Sequence, residues 1–138
     1  MIGNLTALHN QLRAQQTNLG QRESERAVIQ EKIERLRIAD GQMATERQTI
    51  SQLHLAVQAQ ALFIRKWQGQ RMELHRNYIL QDFRNNYRTY KSTANDMHDA
   101  IIRKIAQLEN EARDIGGVIG GLLNAINNLR AAIRVATN

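Results

Sequence analysis

Four histidines, His9, His54, His75 and His98, are the residues of this 138-residue chain best suited to acid–base or metal chemistry. Imidazole titrates near neutral pH and is a common metal ligand. The four lie too far apart along a helical chain to hold one metal without tertiary help. The nearby carboxylates do not improve matters. Glu73 and His75, and Asp96 and His98, are spaced i,i+2, which sends the two side chains to different faces of a helix. The Glu-x-x-His unit of di-iron bundles is missing. So are HExxH, the phosphate-binding loop, GxSxG and CxxC, and the chain has no Cys at all. No catalytic residue, cofactor or metal is expected, and an enzyme is not the reading. His54 falls on an apolar seam, where a polar residue marks register rather than binding a ligand.

Two further spacings invite attention. Tyr78 and Asp82 form a Tyr-x-x-x-Asp unit that shares one helix face. Gly116, Gly117, Gly120 and Gly121 are four glycines in six residues, and each costs a helix up to about 1 kcal/mol relative to Ala. They form two overlapping Gly-x-x-x-Gly pairs, 116/120 and 117/121, which let another helix approach closely. The other reading of the same glycines is a flexible joint.

The elements that carry these residues are long helices. The chain has no Pro, where average usage gives roughly seven. Hydrophobic residues make up 42% and aromatics 4%, a coiled-coil or bundle composition. From Leu5, a 3,4 spacing runs through Leu8, Leu12, Gln15, Leu19, Arg22, Arg26, Ile29, Ile33, Leu36, Asp40, Met43, Arg47, Ile50, His54, Val57, Ala61 and Ile64. Polar residues interrupt this seam, and Gly20 and Gly41 weaken the helix. Residues 39–42 are the place where a kink or break would fall, and the spacing leaves open whether helix 1 is continuous through Gly41.

The second half is more regular. Leu80, Phe83, Tyr87, Tyr90, Ala94 and Met97 lead into Ile101, Ile105, Leu108, Ala112, Ile115, Ile119, Leu122, Ile126, Leu129 and Ile133. Two successive steps of four at Met97, Ile101 and Ile105 predict a stutter there, with 92–96 as the weakest point. The expected fold is all-α: one domain over 1–138, a long antiparallel two-helix hairpin. Helix 1 spans about 4–66, a turn about 67–70, and helix 2 about 72–135. Gly69 supplies the turn and Trp67 caps the open end of the seam. All six aromatics lie between residues 63 and 90, which a hairpin gathers at one end.

Charge and hydropathy limit the partners. The net charge is +6, with nine Lys/Arg against six Asp/Glu in residues 1–66 and ten against seven in 67–138. Each half is thus +3 without a basic block, so nucleic acid is not an expected partner. The most apolar stretch, 115–136, holds Asn124, Asn127, Asn128, Arg130 and Arg134, so no stable membrane insertion is expected. The N-terminal residues do not read as a secretory signal peptide.

A helical hairpin with Trp67-x-Gly69 at its turn resembles the WxG-type substrates of bacterial type VII (ESX/Ess) secretion. Three stretches resemble one branch in particular, the YwqH-like helical partners of LXG toxins in Gram-positive bacteria. They are "WQG" at 67–69, "DFRNNYRTY" at 82–90, and "AIIRKIAQLENEARDIGGVIGGLLNAINNL" at 100–129. The likeness covers the second half, while the first half matches only as coiled coil.

The resemblance implies a non-enzymatic partner or targeting chaperone that binds the N-terminal domain of an LXG-type toxin, alongside a second small helical protein or as a homodimer. It implies a secretion and turn motif at Trp67 and Gly69. The pairing surface would comprise Phe83, Tyr87, Tyr90, Ile101, Ile105, Leu108, Ile115, Gly116, Gly117, Ile119, Gly120, Gly121, Leu122, Ile126 and Leu129. It further implies a cytoplasmic protein before export, leaving with its toxin by a signal-peptide-independent route. Export signals of this superfamily place Tyr-x-x-x-Asp/Glu after the second helix. Here the C-terminal residues have none, and Tyr78 and Asp82 lie inside the helix. The signal is then composite or supplied by a partner, or the protein stays inside. The alternative is a self-assembling structural coiled coil unrelated to secretion.

Overall fold

The structure, a computed structural model, describes the backbone of residues 2–64 and 70–138 and the side chains of 3–60 and 76–138. It is an all-α helical hairpin of two helices packed against each other, α1 (Ile2–Ile64) and α2 (Gln70–Thr137). Among the described residues there is no strand, and only Asn138 lies outside a helix. The expected turn at Trp67 and Gly69 lies outside the described residues.

The continuity through Gly41 that the sequence left open is resolved, since α1 runs through 39–42 without interruption. Gly41 keeps a helical φ, and the Thr45 hydroxyl donates to its carbonyl oxygen at 3.2 Å. A glycine weakens a helix by about 1 kcal/mol but does not end it when an apolar seam on either side stays buried. Residues 92–96, expected to be the weakest part of α2, are likewise helical, and Ala94 is buried there.

Contacts between the helices form two compact units: Met1–Arg35 with Ile105–Asn138, and Leu36–Lys104. Each is antiparallel. In the first, Arg26 meets Gly116, and Gln11, Ala14 and Gln15 share a groove with Ala125, Asn128 and Leu129. Ile33, Ile105, Leu108, Ile119 and Ile126 are its buried residues. In the second, Asp40 meets His98, Arg47 meets Asn95, and His54 meets Phe83 and Tyr87. Among the described residues, Ala94 is the buried one there.

The 3,4 spacing placed the α1 seam well. Its positions from Leu5 to His54 are all half-buried or buried, and Val57 sits at the edge with 37% exposure. The α2 seam needs one correction. Met97 is 52% exposed and His98 faces α1 instead. The seam therefore steps Tyr90, Ala94, His98, Ile101, and the two successive steps of four fall at 90–98 rather than 97–105. The reason is polar: His98 has a partner in Asp40 across the seam, and Met97 has none. No helix among the described residues is long and apolar enough to cross a membrane.

Candidate partner-binding surface

The polar residues of the α1 seam find specific partners on α2. In the unit Leu36–Lys104, the Nδ1 of His98 lies 2.6 Å from the Oδ1 of Asp40, with the Asp40 side chain only 19% exposed. A carboxylate accepts and the ring N–H donates, so this is a short cross-helix hydrogen bond. Two turns along α1, the Arg47 Nη1 donates to Asn95 Oδ1 at 3.3 Å. One further step of seven reaches His54, whose ring stacks on Tyr87 at 4.0 Å between centroids and on Phe83 at 5.4 Å, nearly parallel to both. Its Nδ1 is buried without a hydrogen-bond partner among the described residues. Three polar seam positions at heptad spacing thus each meet a different chemistry. A one-heptad slip would break all three, so together they fix register.

The two described seam histidines, His54 and His98, act singly. Among the described residues no three metal-ligating side chains converge. His98 and His54 are committed to Asp40 and to aromatic rings. The Asp40–His98 pair escaped the sequence reading, although Asp40 already stood on the α1 seam and His98 lies four residues beyond Ala94.

In the unit Met1–Arg35 with Ile105–Asn138, the residues expected to bind a partner divide into two sets. Ile105, Leu108, Ile119 and Ile126 are buried against α1, so they form the hairpin's own core. Ile115, Leu122 and Leu129 are half-buried, as are Phe83, Tyr87, Tyr90 and Ile101 in the other unit. The glycines serve no close approach to α1. A Cβ on Gly116 would meet only the Arg26 Nη1, at an ordinary 3.8 Å, and a Cβ on Gly117, Gly120 or Gly121 would meet nothing within 4 Å. The last three are exposed, flanked by Val118 and Leu123, themselves 47% and 45% exposed. Tyr78, 68% exposed, and Asp82 both lie on the solvent side of α2. Trp67 and Gly69 fall outside the described residues.

A model of the YwqH-like family matches residues 10–132. The chain belongs to the YwqH-like family. The match takes in nearly all of both helices, including the first half, which by its own residues resembled only generic coiled coil. No curated protein and no solved structure is detectably similar to this YwqH-like chain. Its seam contacts and its outward glycines are therefore read from its own geometry.

Proposed function

We propose that this YwqH-like protein is a non-enzymatic helical partner, or targeting chaperone, that binds the N-terminal domain of an LXG-type toxin. In this reading it is needed for, or accompanies, the toxin's type VII secretion, and it resides in the cytoplasm before export. The reading rests on the family resemblance and on one observation about the hairpin. Its seam is half open: Ile33 is the only buried residue among those described on α1, and no described side chain is fully buried. Ile38, Leu53, Leu55, Ile79, Ile102 and Val118 are each about half exposed or more. Apolar surface on this scale is characteristic of a chain that completes its core with another. The outward glycines supply a place where a partner helix can come close.

Co-production with the N-terminal domain of the neighbouring LXG toxin tests this. The expected result is a stable complex on size exclusion, lost when Gly117 and Gly120 are replaced by Leu. Because both positions are exposed and a Cβ at either meets nothing within 4 Å among the described residues, the hairpin should stay folded, which circular dichroism checks. If no complex forms with the wild-type chain, the reading is wrong. The half-open seam also fits a second copy of the chain, as a structural coiled coil. A stable homodimer or filament by light scattering, with no affinity for the toxin domain, decides for that alternative.

A further inference from the structure

The net charge of +6 is not spread along this protein. Residues 47–95 carry eight Lys/Arg against two Asp/Glu, whereas 1–46 carry six against six and 96–138 five against five. A division at residue 66, which gives +3 to each half, cuts the basic block in two. Antiparallel pairing within Leu36–Lys104 rejoins it, as the contacts of Arg47 with Asn95 and of His54 with Phe83 demonstrate.

Within the block, the described cations are in order. Arg84, Arg88 and Lys91 step by four and then three along α2, each one residue after the seam residues Phe83, Tyr87 and Tyr90. All three are exposed, and none forms an ion pair or hydrogen bond among the described residues. No Asp or Glu occurs in 83–95 of α2 or in 47–60 of α1. Lys91 lines an open groove of about 300 Å³ between the helices, with Arg47, Gln48, Ser51, Tyr87 and Tyr90. The groove has no carboxylate in its lining. Arg47 uses Nη1 on Asn95, and its buried Nε has no partner among the described residues. Leu55, one residue past the seam on α1, is 62% exposed. Like charges at i,i+4 destabilise a helix by a few tenths of a kcal/mol, so helix stability does not account for the row.

We propose that this flank docks an acidic amphipathic helix whose carboxylates, spaced four and three, pair with Arg84, Arg88, Lys91 and Arg47. The proposal names the chemistry of the partner and rests on the partner-binding reading above. The 4,3 spacing beside a seam is how charged positions select a partner helix in coiled coils. Arg guanidinium groups suit carboxylates through paired hydrogen bonds. Arg47 and Lys91 in the groove, with Arg84 and Arg88 exposed on the same helix as Lys91, fit a helix laid lengthwise. A flat bilayer would reach the exposed Arg84, Arg88 and Lys91 and leave the half-buried Arg47 unmatched.

The test uses the full chain and a synthetic helical peptide with Glu at 4,3 spacing beside a Leu stripe, plus versions carrying Gln or Lys in place of Glu. Binding is read by fluorescence anisotropy at about 50 and about 300 mM salt. The Glu peptide should bind at least about tenfold tighter than the Gln peptide, with the preference shrinking at higher salt. The variant R84E/R88E/K91E, which alters only exposed side chains and is checked by circular dichroism, should lose that preference and favour the Lys peptide. Equal affinity for Glu and Gln peptides, or an unchanged preference in the variant, overturns the proposal. So does tighter binding to phosphatidylglycerol vesicles or duplex DNA, which assigns the row to lipid or nucleic acid. The toxin domain separates this from the broader reading. Capture by wild type and variant alike sinks the acidic-helix proposal alone, whereas Glu-peptide binding without toxin capture sinks the toxin reading alone.

Discussion

At the scale of single residues, polar groups in an apolar seam are the informative ones. Asp40 and His98 exchange a 2.6 Å hydrogen bond where two apolar side chains would have packed without direction. Removing either partner leaves the other half-buried and unmatched. The single changes Asp40→Ala and His98→Ala should therefore each destabilise the hairpin, and their double-mutant cycle should give a coupling of about 0.5–1.5 kcal/mol by urea unfolding. A coupling near zero removes the pair as a determinant of register. The glycines make the opposite case. Gly117→Ala and Gly120→Ala each place a methyl in open space and remove the helix cost of Gly. Each should raise stability by about 0.5–1 kcal/mol while weakening toxin-domain binding. A loss of stability shows instead that the hairpin itself needs those glycines.

At the scale of the helices, the seam decides which residues matter. Leu108 is 4% exposed and faces α1, whereas Met97, which the unbroken 3,4 pattern assigned to the core, is 52% exposed. Leu108→Ala should cost about 2–4 kcal/mol, and Met97→Ala no more than about 0.5 kcal/mol, by the same unfolding measurement. A large effect at Met97 restores the register with its stutter at 97–105. Helix continuity through 39–42 has the same origin. Met43 and Leu36 remain in the seam on either side of Gly41, so packing outweighs the local cost of a residue with poor helix propensity.

At the scale of the molecule, two properties point to a partner, and each has its own test above. The half-open seam asks for another apolar surface, and the basic row asks for an acidic one. Capture of the toxin domain reads the first, and the Glu, Gln and Lys peptides read the second. The two properties differ in how visible they are before folding. Leu and Ile at 3,4 spacing announce a seam in any linear reading. The basic row is less plain: residues 47–95 carry eight Lys/Arg against two Asp/Glu, but a count split at the midpoint divides them, and only the pairing puts Arg47 and Lys91 on one groove.

Composition and heptad spacing alone determined the all-α hairpin, the α1 seam and the apolar α2 core, because helix periodicity is local and side chains three and four apart must share a face. The motif stretches also sufficed to indicate the YwqH-like family. Tertiary structure decided what depends on pairing. It exchanged Met97 for His98 because Asp40 stands opposite, and it carried α1 through Gly41. It turned Gly117, Gly120 and Gly121 away from α1 and put Arg47 and Lys91 on one groove. Each is a relation between residues distant in the chain, and no one-dimensional spacing encodes which residues an antiparallel partner brings opposite.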